Sequence, residues 1–116
     1  MNIKEVIYTM YTVKLMNEFF HGPIWVYGPE GVTLMRFPLV YEDPILSELN
    51  EQAADMYADY YEFDSHDSPC WFNYEKEKEE KEIMLDLITR IVARLEEIND
   101  GSFVIEDYVS EYLKSL

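Results

Sequence analysis

The sequence predicts an α+β domain, mainly helical, with about four helices and a small β-hairpin near residues 24–40. Apolar residues recur at helical spacing along residues 45–63, 84–98 and 104–116, as on a buried helix face. The turn Gly28-Pro29-Glu30-Gly31 separates two runs of strand formers, with Pro pre-setting φ and Gly able to take φ > 0. The chain has 116 residues, 48% of them hydrophobic and 16% aromatic, so one domain with a core is expected despite a net charge of -15.

Residues 2–21 have two readings. Asn2 with Glu5 has the pattern of a capping box, and His21-Gly22-Pro23 that of a helix stop. Ile3, Val6, Ile7, Met10, Val13 and Phe20 then mark one helical face. Yet residues 6–13 are also dense in strand formers. The run is long for a strand, so a helix is expected. Ile24–Tyr27 reads as a short strand and 32–40 as its return, with Pro38 at a bulge or edge. An open hairpin edge is one route to a homodimer.

Asp43 before Pro44 is a helix start, an acceptor at the N-cap followed by Pro at N1. Ile45, Leu49, Ala53, Met56, Tyr57, Tyr60 and Phe63 carry the apolar face of a helix expected to reach residue 63. A loop over 64–73 follows, and then a long helix over 74–98 with Met84, Leu87, Ile88, Ile91, Val92, Leu95 and Ile98 inward. The first turns of that helix, 75–82, alternate Glu with Lys and read as a solvated extension. Asp100-Gly101 ends it, and Ser102 is positioned to cap a last helix.

Charge is unevenly spread. Residues 1–41 balance three bases against three acids, and 68–116 carry six bases against twelve acids. Residues 42–67 hold nine acids and no Lys or Arg. Within them Glu48, Glu51, Asp55, Asp59 and Glu62 are spaced 3, 4, 4 and 3 apart. On a helix that spacing makes a carboxylate stripe about 80° wide, opposite the apolar face. Like charges at i,i+4 work against a helix by a few tenths of a kcal/mol. The plain role of such a stripe is a solvated face that keeps a small domain in solution. The functional role is docking to a basic surface, since the chain should avoid DNA, RNA and anionic membranes. Ten tyrosines exceed what one small core readily satisfies. Tyr57 and Tyr61, exposed beside the carboxylates, would suit an interface with Lys and Arg.

Catalysis has no comparable signal. Asp64, His66, Asp67 and Cys70 share a loop to which His21 could add a ligand, but two His and one Cys fall short of a zinc set. The loop lacks the glycine and terminal glutamate of a calcium-binding EF-hand. A thiolate at Cys70 would be disfavoured by the surrounding acids. No phosphate-cradling glycine loop and no nucleophile elbow is present. We therefore expect no enzyme, no metal and no cofactor. One cysteine excludes an internal disulfide and fits a reducing, cytoplasmic setting. No secretory cleavage pattern and no run of about 18 apolar residues is seen.

In size and charge, though in no motif, the chain is similar to the small acidic inhibitors by which phages block DNA-binding enzymes, antirestriction and anti-CRISPR proteins among them. It is equally similar to immunity proteins that neutralise nuclease toxins. That similarity implies a nucleic-acid mimic that covers the cationic groove of a basic protein partner, a nucleic-acid-binding enzyme or nuclease. Glu48, Glu51, Asp55, Asp59, Glu62, Asp64 and Asp67, with Tyr57 and Tyr61, are the expected contacts. The other classes are an acidic adaptor or regulatory subunit and, less favoured, a metal-dependent enzyme using residues 64–70.

Overall fold

A computed structural model describes residues 10–65 and 68–116. The expected α+β class holds: among the described residues a four-stranded mixed sheet carries helices on its inner face, and a two-stranded hairpin stands apart. Strand β1 (Tyr11–Leu15) pairs antiparallel with β2 (Ile24–Tyr27), which pairs with β3 (Thr33–Leu34). On its other side β1 runs parallel to β6 (Phe103–Asp107), giving the order β3-β2-β1-β6. Val13, Leu15 and Val26 point into the core, while Thr12, Lys14, Trp25 and Tyr27 alternate with them on the outer face.

The helix expected over 2–21 is corrected where the chain is described: residues 11–15 are a strand. Residues 2–9 lie outside the described residues. Tyr11, Thr12 and Val13 suit a pleated surface, and pairing with a strand on each side outweighs the helical spacing. After β1 the chain turns through 16–22. Phe20 there adopts φ 68°, a left-handed value uncommon for a side chain of its size. Gly22 has φ 89°, and a Cβ on it would meet the Asn50 side chain at 2.4 Å. Asn50 holds this junction, accepting from Ile24 N at 3.0 Å and donating to His21 O at 3.2 Å.

The return strand expected over 32–40 is shortened to two residues. Pro38 sits at the first position of α1 (Pro38–Tyr41), not at a bulge. Helix α2 (Pro44–Ala58) starts as its sequence indicates, with Asp43 accepting from Leu46 N at 3.0 Å. Arg94 clamps the same carboxylate at 2.6 and 3.1 Å, which holds Asp43 below its usual carboxylate range. But α2 stops at Ala58, and Asp59 is its C-cap. Residues 61–65 and 68–72, expected as helix end and loop, pair as the strands β4 (Tyr61–Ser65) and β5 (Ser68–Phe72) of a hairpin. The cause is aromatic density: Tyr60 turns into the core, 1% exposed, and Tyr61 faces Phe72 across the strands with ring centroids 5.1 Å apart.

The single helix expected over 74–98 is two helices, α3 (Tyr74–Glu79) and α4 (Lys81–Ile98), broken at Glu80. Ser102 caps no helix. The chain first forms β6, and Asp107 caps α5 (Tyr108–Lys114). The core joins Leu46, Leu49 and Ala53 of α2 to Met84, Ile88, Ile91 and Leu95 of α4, over the inner face of the sheet. Val109 and Leu113 of α5 close it. Among the described residues no helix is long and apolar enough to cross a membrane.

Candidate functional site

Two regions carry the negative charge and aromatic residues that the sequence singles out. The first is the outer face of α2. Glu48, Glu51 and Asp55 are exposed along it, opposite Leu46, Leu49 and Ala53. Among the described residues none of these three is in an ion pair, and Glu48 accepts only from Gln52 Nε2, at 3.4 Å. Asp59 is also exposed, but Lys76 Nζ comes to its backbone oxygen at 3.4 Å. Glu62 leaves the stripe altogether. It lies on β4, half-buried, and accepts from Asn73 Nδ2 at 3.2 Å. The five-residue stripe is thus three carboxylates on a helix and one at its end. Of the other two acids, Asp64 is on β4, and Asp67 lies outside the described residues with His66.

Tyr57 and Tyr61 are corrected more sharply. They do not flank the carboxylates. Tyr57 projects from the opposite side of α2, and Tyr61 is on β4; both are half-buried and packed by Phe72. They form one wall of the second region, a cleft of about 340 Å³. Their hydroxyls are 3.4 Å apart. Tyr74 of α3, Tyr108 and Tyr112 of α5 and Asn17 after β1 complete the wall. So β1, α2, the hairpin, α3 and α5 meet here.

Glu77 lies in this cleft and is 3% exposed. The Tyr112 hydroxyl donates to its Oε1 at 2.6 Å. Among the described residues no cation is within ion-pair reach of it. Lys76 reaches instead to Asp59 O, and Lys81 to Leu116 O at 2.9 Å. Buried carboxylates are normally paired with a cation or heavily hydrogen-bonded, and among the described residues this one has a single phenol. The phenols register the same surroundings. Burial first, then the Glu77 bond, push Tyr112 up to about 12. Burial, the Tyr61 hydroxyl and the charges of Glu18 and Glu77 push Tyr57 up further. Asn17 Oδ1, also buried, finds no hydrogen-bond donor among the described residues.

The cleft opens beside an aromatic ridge. Phe19 stacks within 4.7 Å of Tyr61 and 4.0 Å of Phe20, and Phe20 is 86% exposed. Phe63 and Tyr74 are exposed as well. Sequence reasoning missed Glu77 because residues 75–82 alternate Glu and Lys like a solvated helix. A signal existed: the apolar face Met84–Ile88, extended back by seven residues, lands on Glu77.

Of the residues in the metal reading of 64–70, His66 and Asp67 lie outside the described residues. Cys70 is exposed on β5, and His21 stacks on Trp25 at 3.6 Å. Among the described residues no three His, Cys, Asp or Glu side chains are grouped to hold an ion. No protein-family model matches the chain, and neither curated proteins nor solved structures include a match to it.

Proposed function

We propose that this protein is a small acidic inhibitor that docks on the cationic, nucleic-acid-binding surface of another protein. The observation that carries this reading is the outer face of α2. Glu48, Glu51 and Asp55 stand exposed there, with no ion pair among the described residues, in a chain with no Lys or Arg from residue 37 to 75. They span about 10 Å of a rigid helix at 1.5 Å per residue. A row of fixed carboxylates at such intervals is what Lys and Arg of a phosphate-binding groove attract. Helix stability gains nothing from the pattern. A charge of -15 further steers the chain towards basic partners.

The test is competition. The protein, immobilised at low salt, is offered proteins of its native host, and each captured protein is then challenged with duplex DNA or RNA. A basic partner displaced by nucleic acid, and retained less by a Glu48→Gln/Glu51→Gln/Asp55→Asn variant, supports inhibition by occupancy. A partner that keeps binding nucleic acid while bound to this chain overturns it in favour of an adaptor. Equal capture by the triple variant reduces the α2 face to a solubilising surface.

A further inference from the structure

We propose that the tyrosine cleft is a guanidinium pocket that takes an arginine side chain presented by the protein partner. This rests on the partner being a basic protein, as in the function above, but not on the α2 face.

The chemistry of the lining points to a cation. Glu77 is a buried carboxylate with one hydrogen-bond donor, Tyr112, and no counter-ion among the described residues. Around it Tyr57, Tyr61, Tyr74, Tyr108 and Tyr112 offer ring faces and phenol oxygens. Aromatic faces attract a desolvated cation. Burial first, with the Glu77 carboxylate adding to it, raises the phenols of Tyr57 and Tyr112, so this cleft disfavours a further anion.

The acceptors select among cations. Glu77 and the buried Asn17 Oδ1 are acceptors in want of N–H donors. A quaternary ammonium has none to give. A guanidinium is planar, stacks on rings and presents five N–H groups in a fixed fork. At about 340 Å³ the cleft is at the small end of ligand sites, which run from about 300 to 1,000 Å³. The aromatic ridge that joins Tyr61 argues that the cation arrives on a protein. Phe20 and Phe63 are large exposed apolar side chains continuous with Tyr61 through Phe19. Phe20 is held there in a left-handed backbone conformation, and such strain concentrates where side chains serve binding. An apolar rim around a buried charged anchor is the arrangement of an interface hot spot.

N-acetyl-arginine methylamide, titrated into the chain and followed through tyrosine ring resonances, tests this directly. Its citrulline analogue supplies a neutral isostere, and tetramethylammonium a cation without N–H. We expect shifts centred on Tyr61, Tyr74 and Tyr112, with tetramethylammonium about tenfold weaker and citrulline weaker still. Glu77→Gln should weaken arginine binding by about tenfold or more, equivalent to ~1.4 kcal/mol. Tyr74→Ala, at a ring 68% exposed, gives a second readout should Glu77→Gln not fold. A second arm uses an arginine-containing basic peptide and its citrulline counterpart. Tighter binding of the arginine peptide than of the amide, lost in Glu77→Gln and kept when an exposed acid away from both regions is neutralised, Glu96→Gln, supports a protein-borne arginine. If the amide binds as tightly as the peptide, the occupant is a small cation and the protein source is overturned. No ring response to either arginine probe, an equal response to citrulline, or binding indifferent to both cleft variants overturns the pocket itself. The α2 reading survives that failure, since nucleic-acid competition tests it separately.

Discussion

Glu51 and Glu77 are glutamates on neighbouring helical stretches, and the fold treats them oppositely. Glu51 shares the outer face of α2 with Glu48 and Asp55, where water screens each charge and, among the described residues, the one side-chain hydrogen bond comes from Gln52 to Glu48. Glu77 is walled in by tyrosines, with one hydroxyl in place of water. Surface charge acts at a distance and governs encounter; buried charge acts at contact and governs what stays bound. The difference teaches that local charge density, highest on 42–67, does not locate the strongest electrostatic feature. One carboxylate removed from water, with no cation beside it among the described residues, outweighs several that are solvated.

The comparison breaks most visibly at Phe72. Its ring contacts those of Tyr57, Tyr60, Tyr61 and Tyr74, so Phe72→Ala removes the support shared by hairpin and cleft. We expect a loss of about 3 kcal/mol in urea unfolding, with arginine binding lost and the charge of the α2 face unaltered. A loss below about 1 kcal/mol would mean that the cleft wall stands without it.

Asp43 tests the other region. Asp43→Ala removes the N-cap of α2, at about 1 kcal/mol, and also leaves Arg94 without its bidentate partner. Because the folded carboxyl titrates below 3.8, its contribution is present above that pH and disappears as pH falls through the folded value. Acid unfolding of the parent should therefore steepen below pH 3.8, and that extra steepness should be missing in Asp43→Ala. Identical acid profiles would show that the clamp is not felt in solution.

A smaller effect distinguishes the phenols. Tyr112 is raised from 10.0 to about 12, so the folded state keeps a proton that the unfolded state has lost. Its contribution is whole below pH 10 and fades as pH climbs to about 12. In Tyr112→Phe the alkaline decline in melting temperature over that window should be shallower. An unchanged decline would assign the alkaline loss to Tyr57 and Tyr60, both also raised.

The least effect on stability is expected from Glu48→Gln/Glu51→Gln/Asp55→Asn, within about 0.5 kcal/mol of the parent, because all three sites are exposed. Its consequence lies in kinetics: association with a basic partner should slow, and should lose much of its salt dependence. A variant that folds and associates at the parent rate would leave the cleft as the stronger candidate.

The α+β class, the Asp43-Pro44 helix start, the Ile24–Tyr27 strand and the inward face of α4 from Met84 to Leu95 are legible in the sequence alone. Each is set by signals within a few residues: a cap, a turn, or one unbroken periodicity. The acid richness of residues 42–67 is legible there too, since charge is a property of composition. Tertiary structure decided the rest. Residues 11–15 became a strand because β2 and β6 are available on either side, which no local spacing reveals. The apolar period of α2 ran on to Phe63, but Tyr60 entered the core and Tyr61 found Phe72 across a hairpin. Glu62 was thereby lifted off the acidic face. Glu77 was buried where α5 brings Tyr112, 35 residues later in the chain, to it. Helical periodicity says which side a residue faces; only the packing of distant segments says whether water or protein stands there.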